Sequence, residues 1–589
     1  IQTLLLLPAI GLAETPPVHS PEEQWETFVL AEPGYRIELV ASEPMIQDPV
    51  AMTFDGQGRL WVVEMRSYMR DVDGSSSKDP IGRISVLQDL DGDGLMDKGT
   101  VFLDDLVLPR SIAVFPDGVL VAENKPLWFV KDTDGDLVAD EKTLVDEDYA
   151  RDNIEHSANG LLYALDNWIY NAKEGHRYRR NGDEWIREST EKRGQWGISQ
   201  DDYGRLYYNY NHSQLHSDQV PPNTLTRNEN HDPSTGLSVG VTNTNEVFPI
   251  RPNTATNRGY IPGALDENGS IKQFTSACAP FIYREALLPA FSGNAFVAGT
   301  AGNLVKRNTL SGSGVGVVGT PAYPDRDFIA STDERFRPCW ISSGPDGALY
   351  IVDMYRGIVQ DAPHMSPYLR EHSIERKMEG PIHLGRIWRV VPDHHTQPEA
   401  PDFASMSAGE LVDHLDHESG WWRDKAQQHL VTRNLTESIP LLERVVQSAD
   451  SELARLHALW TLEGLRPENL DVIFAALDDD ADAVQSAALR ILEQLDASPD
   501  LITDQIERLS VGNPSTPLAL QMVLTLGDLP IQKSRKHAQL SRLLLPRITD
   551  PLFRDAAISS LAGEEAEFLN ATWEELAAVP MPSAGAAFL

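Results

Sequence analysis

The residues best suited to chemistry in this 589-residue sequence fall into two sets. "DLDGDGLMDK" supplies Asp89, Asp91, Asp93 and Asp97, and "DTDGDLVADE" supplies Asp132, Asp134, Asp136 and Asp140. Carboxylates at alternating positions with a fourth further on suit a loop wrapped around a hard, oxygen-seeking cation, and calcium is the natural occupant. The pattern departs from an EF-hand loop: Thr100 and Thr143 stand where a bidentate Glu belongs, and Leu137 replaces the turn glycine of the second loop. Two solvated acidic turns are the plainer reading. The second set centres on "HSANGLLYALDNWIY", where His156 stands just ahead of an apolar run led by Gly160. An imidazole there is suited to general-base work, because its ordinary pKa lies near working pH.

Such scattered groups act together only if a fold converges them. Six phrases recur before about residue 395, each an apolar run, a turn rich in Asp, Asn or Gly, and a second run often carrying an aromatic: "PVAMTFDGQGRLWVVEM", "PRSIAVFPDGVLVAEN", "ANGLLYALDNWIYNAKEG", "RGQWGISQDDYGRLYYNYN", "APFIYREALLPAFSGNAFVAG" and "RPCWISSGPDGALYIVDMY". The turns suit tight hairpins, and hairpins at long, roughly regular spacing make propeller blades. "YRIELVAS" and "GRIWRVVP" are expected to close the ring. After the boundary in "VPDHHTQPEAPDF" a helical repeat takes over: Arg423, Ala426 and Leu430 return as Arg455, Ala458 and Leu462, as Val484, Ala487 and Ile491, and as Arg554, Ala557 and Leu561. Small residues at that period let helix pairs stack closely. The expected fold is an all-β six-bladed β-propeller (14–395) followed by an all-α HEAT-like solenoid (396–589).

In a blade the innermost strand runs down the channel and the second returns, so the start of the first and the end of the second share a face. That geometry gathers His156, Arg193, Arg335 and Arg337 from strand starts, with Asn211 and His212 from a strand end as candidates to hold substrate hydroxyls. Guanidinium groups crowded at one cavity call for an anionic guest. Pairing of the arginines with local carboxylates, and of the histidine with backbone, is the bland alternative. The acidic loops follow third strands and are expected on the opposite face, which favours structural calcium over catalytic calcium. The segment from Ser213 to Thr275 is long enough to roof the cavity.

Composition narrows the function. Asp and Glu number 88 against 50 Lys and Arg, a net charge of −38, which disfavours nucleic acid and anionic membrane surfaces. The opening "IQTLLLLPAIGLAETPP" is too short to span a bilayer and reads as the remnant of a secretory signal over residues 1–13, implying a secreted or periplasmic protein with no membrane span in the mature chain. Cys278 and Cys339, the only cysteines, make no disulfide framework; they are expected as buried thiols, with pairing in an oxidising compartment as the alternative. No C-x-x-C-H occurs, so this chain carries no covalent c-type haem.

"RPCWISSGPDGALYIVDMYRGIV", "NEVFPIRPNTATNRGY" and "ARLHALWTLEGL" resemble the membrane-bound dehydrogenase family of planctomycete-type bacteria, in which a propeller precedes HEAT repeats and usually a haem c domain. More distantly, the chain is similar to soluble quinoprotein glucose and sorbosone dehydrogenases. That resemblance implies pyrroloquinoline quinone (PQQ) with Ca2+ as cofactors and His156 as the base taking a hydroxyl proton. It likewise implies Arg193, Arg284, Arg335 and Arg337 as the groups holding quinone and substrate. The glycine-rich loop that holds catalytic calcium in those enzymes is not evident here. The expectation is a dehydrogenase acting on a sugar or polyol hydroxyl, passing electrons to a cytochrome c or haem c domain; the end "PSAGAAFL" reads as a truncation before such a domain. Two rivals are a non-enzymatic scaffold that binds glycan or protein and a calcium-dependent lactonase. Arginines at the channel mouth speak against the lactonase, since they disfavour a cation there.

Overall fold

Each of the six phrases forms the inner hairpin of one blade in the computed structural model, which describes residues 15–577 apart from 314 and 496. The signal remnant expected over 1–13 lies outside the described residues. Blades one to four are four-stranded antiparallel sheets whose inner strands are Pro49–Phe54, Ser111–Phe115, Asn159–Tyr163 and Ile198–Gln200. Blade five starts at Ala277–Ile282 and gains the early strand Phe28–Leu30 at its far edge, paired with Ile329–Ser331. Blade six starts at Pro338–Ser343 and takes Tyr35–Ser42 as its outermost strand, antiparallel to Arg386–Pro392. A strand from before the first blade thus completes the last, which removes the open edge that a ring of sheets would otherwise expose.

The turn residues recur for a reason visible in their hydrogen bonds. In blade one, Oδ1 of Asp55 accepts from the Gln57 and Arg59 amides (2.8 and 3.0 Å), while Oδ2 accepts from Trp61 Nε1 (2.8 Å) on the next strand. Asp201 does the same with the Tyr203 and Arg205 amides and the Tyr207 hydroxyl, and Asp346 with the Ala348 amide and the Tyr350 hydroxyl. One carboxylate therefore fixes the turn and buries the polar tip of an aromatic whose body fills the space between blades.

Beyond the propeller the chain is helical. Gly420–Thr432, Glu452–Leu465, Asp482–Gln494, Thr516–Asp528 and Pro551–Ser560 form a row in which each helix packs on the next. Ala426, Ala458, Ala487 and Ala557 are all buried along that row, with Leu430, Leu462, Ile491 and Leu561 beside them. This is the solenoid arrangement that the repeat predicts. The row lies across the turns at the ends of the inner strands: Gln427 Nε2 donates to the Leu165 carbonyl (2.7 Å) and to Asn167 Oδ1 (2.9 Å). Phe54, Leu165 and Phe403 share one apolar core with Trp421, Leu430 and Trp460. The helices thus cover one mouth of the channel and leave the other free for chemistry. Among the described residues no helix is long and apolar enough to cross a membrane.

Candidate functional site

The free mouth holds a cavity of about 510 Å3. Arg110, His156, Trp196, Cys278 and Arg337 line it from the starts of inner strands, Met65, Asn211 and Met354 from the ends of second strands. Ala255–Arg258, from the long connection between blades four and five, and Gly357–Gln360 with His364, Leu369 and Ser373, from the connection inside blade six, complete the wall. Such a concave, mixed polar and apolar hollow on the channel axis is the natural place for a ligand.

His156 is held by its backbone and its ring faces. Asn153 Oδ1 accepts from the His156 amide (2.7 Å) and the Glu155 amide (3.0 Å). The imidazole packs on the Trp196 ring at 5.3 Å and meets His364 edge-to-face at 4.8 Å. Its Nδ1 is buried without a partner, and its Nε2 lies 3.8 Å from Glu155 Oε2. Burial, then Lys173 and His364, hold the ring below the ordinary imidazole value against the pull of Asp361. It is neutral at working pH and able to accept a proton. Beside it, burial and then the Asp361 carboxylate push Glu155 up to about 9, so Glu155 carries a proton while Asp361 is ionised.

Of the three arginines lining this cavity, Arg258 is exposed, and the two buried ones, Arg110 and Arg337, have no carboxylate partner among the described residues. Arg337 donates to the carbonyls of Arg356 (3.1 Å), Thr300 (3.1 Å) and Gly357 (3.2 Å). Arg110 donates to those of Asn153 (2.7 Å), Ile154 and Glu155 (3.2 Å), and its Nε is buried without a partner. Burial lowers both to about 10, still charged at neutral pH. Buried cations satisfied only by carbonyl dipoles keep unspent attraction for an anion. Trp340 adds a further unpartnered donor, Nε1, to the same wall.

The structure brings His156, Asn211 and Arg337 together and sets the other expected site residues elsewhere. Arg193 is buried away from the cavity, bonded through Nε to Asp218 (2.7 Å) and through Nη2 to Glu191 (2.8 Å). Arg284 lies at the covered mouth, where Asp202 (2.8 Å) and Asp424 (2.7 and 3.0 Å) neutralise it. Arg335 sits behind Gly357 with its Nη2 on the Gly380 carbonyl (2.9 Å). His212 is exposed and outside the cavity lining. Arg110, Glu155, Asp361 and His364 belong to the site but did not emerge from the sequence as candidates. Arg110 opens an inner strand and Glu155 precedes His156, which is the signal that could have found them.

The acidic loops lie between third and fourth strands of blades one and two, at the covered end. Carboxylate oxygens of Asp89, Asp91 and Asp97 lie within 4.8 Å of one another, as do those of Asp132, Asp134 and Asp136. Asp93 accepts from the Leu95 amide (2.8 Å) and Asp140 from the Thr133 amide (2.7 Å), shaping the loops. Cys278 and Cys339 are free thiols in the channel, and burial pushes Cys278 up to about 11.

No curated protein matches the chain. Solved structures similar to it include the PQQ domain of pyranose dehydrogenase from Coprinopsis cinerea in its holo form, at 13% identity and TM-score 0.31, covering 62% of this chain and 97% of that one. The soluble aldose sugar dehydrogenase of Escherichia coli is similar at 10% identity and TM-score 0.31, covering 61% of this chain and 99% of that one. A luciferin-regenerating enzyme matches at 11% identity and TM-score 0.33, covering 62% of this chain and 99% of that one. Likeness at this level concerns the course of the chain and says nothing of its chemistry. Residues 20–394, more than half of the chain, match the family described as "Domain of unknown function (DUF7133)", and the chain belongs to that family.

Proposed function

We propose that this protein is a secreted or periplasmic dehydrogenase that oxidises a sugar or polyol hydroxyl with pyrroloquinoline quinone as its cofactor. The observation that supports it most is a neutral imidazole, His156, at a cavity whose two buried guanidinium groups, Arg110 and Arg337, lack carboxylate partners. The cavity fits the quinone as a planar polyanion: Arg110, Arg337 and the unpartnered Trp340 Nε1 would hold its oxygens. Bound there, the quinone supplies a two-electron acceptor for hydride.

The chain's own residues do the rest. His156 takes the hydroxyl proton as the C–H bond gives up hydride, so no charged alkoxide builds up in a poorly solvated cavity. Asn211 lies in the same wall and can orient a substrate hydroxyl. Turnover then needs an outside one-electron acceptor of the cytochrome c or haem c class. In this reading calcium occupies the two acidic loops and fastens the outer strands of blades one and two.

The test is reconstitution with calcium and the quinone, followed by dye reduction over a panel of sugars and polyols. The expected result is quinone uptake with turnover, and a loss of roughly 10²–10⁴-fold in turnover for His156→Gln with uptake retained. Withholding calcium should lower the melting temperature. Failure of the protein to take up quinone would sink the proposal and favour a binding scaffold.

A further inference from the structure

Glu155 and His156 open blade three, and His364 arrives from the connection inside blade six. One donor atom from each lies within 4.8 Å of the others. Two of the three are held in place by neighbouring side chains. His364 Nδ1 donates to both oxygens of the buried Asp361 at 2.9 Å, which leaves Nε2 as its free lone pair. A carboxylate on the far nitrogen is the usual support behind a metal-bound histidine. The Gln360 amide donates to Glu155 Oε2 (2.9 Å) and Asp361 Oδ1 (3.1 Å), fixing the second ligand.

The third ligand carries its own sign of an absent partner. His156 Nε2 lies 3.8 Å from Glu155 Oε2, and its Nδ1 is buried and bonded to nothing among the described residues. The cluster brings together the Glu155 and Asp361 carboxyl groups and two imidazoles, and the nearby Arg110 guanidinium is turned to the Glu155 carbonyl (3.2 Å). Two imidazole nitrogens and one carboxylate oxygen suit a borderline ion such as zinc or cobalt, whereas calcium and magnesium prefer oxygen throughout. The cavity leaves the remaining coordination positions open.

We infer that Glu155, His156 and His364 form a binding site for a divalent transition-metal ion, supported by Asp361 and Gln360. An ion there takes up His156, so the filled protein cannot also use that ring as a base; metal binding and the proposed oxidation exclude each other. The site stands on its own geometry, and its test needs neither quinone nor substrate.

The test titrates Co2+ into the full chain with calcium in excess, reading visible absorption, with Zn2+ as competitor. The acidic loops offer only oxygen, so absorption typical of imidazole-ligated, four- or five-coordinate Co2+ excludes them, and its loss in His364→Gln assigns it to this site. One equivalent is expected to bind, and His364→Gln and Glu155→Gln should each weaken binding roughly 100-fold or more. His364 is half exposed, so its replacement leaves the fold intact, which a melting curve on the same sample checks. Absence of the nitrogen-ligated signal, or equal affinity in wild type and both variants, overturns the inference. Dye reduction by protein reconstituted with calcium and quinone but free of transition metal separately decides the oxidation.

Discussion

Arg337 and Arg284 illustrate what a sequence can say about a residue and what it cannot. Both follow from the blade pattern or from resemblance as cavity groups, yet only Arg337 faces the cavity, because partners decide. Asp424, which claims Arg284, lies 140 residues further along the chain and on a helix. Asp218, which claims Arg193, lies 25 residues on, across blade four. No local pattern announces either pairing. His156 was legible because a strand start on the channel axis needs no distant partner to place it. The two arginines should therefore respond differently to the loss of charge. Arg337→Gln removes a charge-assisted contact worth about 1.5–3 kcal/mol, and should weaken quinone uptake roughly 10–100-fold. Arg284→Gln should leave uptake unchanged and lower the melting temperature, since Asp202 and Asp424 lose their counter-charge. Quinone absorbance titrations and melting scans on both variants check this; a shared loss of uptake would place Arg284 back at the ligand.

At the scale of elements, legibility followed periodicity. Four of the six hairpins pair a turn carboxylate with an aromatic of the following strand, and that pairing is a real bond in blades one, three, four and six. The segments between Ser217 and Ala277 and between Asp353 and Arg386 carry no repeat, and they supply Thr256, Asn257, Gln360 and His364 to the cavity. Irregular backbone held by side-chain bonds leaves no period to read. The helical row is the opposite case, since its buried alanines announce the packing. Within it, Glu452–Leu465 carries His457 wholly buried, its Nδ1 on Gln427 Oε1 at 2.8 Å. Burial holds His457 down to about 3, with Arg423 and Arg284 opposing its charge and Asp424 and Asp202 favouring it. The folded ring is neutral while the unfolded one titrates near 6.5, so the unfolded chain binds the extra proton. Stability from this residue is complete above pH about 6.5 and drains away as pH falls toward 3. The melting temperature should drop more between pH 7 and pH 4.5 in wild type than in His457→Asn, whose amide can keep the Gln427 bond. Equal drops would show that His457 is not the acid-sensitive group.

The whole molecule joins two architectures through a buried polar seam. Composition marks the change near residue 395, but nothing in the sequence says that the helices lie back over the propeller. That contact is made by residues far apart: Arg179 of blade three meets Glu463 through two parallel bonds of 2.7 Å, and Asn167 Nδ2 adds a third at 2.9 Å. Asn167 Oδ1 continues the seam to Gln427, and Gln427 to His457. Both charges are buried, so the pair itself contributes modest net stability, whereas removing one member strands the other in a dry environment at about 3–5 kcal/mol. Glu463→Ala leaves Arg179 without its only carboxylate among the described ion pairs and leaves Asn167 with one donor bond fewer. The shared apolar core predicts a single unfolding transition for the wild type, because neither unit can open without exposing Phe54 and Leu165 or Trp421 and Leu430. In Glu463→Ala the seam no longer holds the helices down, so calorimetry should show a lower onset and a helical transition that separates from the propeller's. Glu463→Gln keeps one acceptor for Arg179 and should fall between the two. The free mouth lies on the other side of the ring, so the proposed quinone uptake, measured below that first transition, should be unaffected. A loss of uptake that tracks the loosened helices would mean instead that the solenoid sets the shape of the cavity across the full depth of the channel.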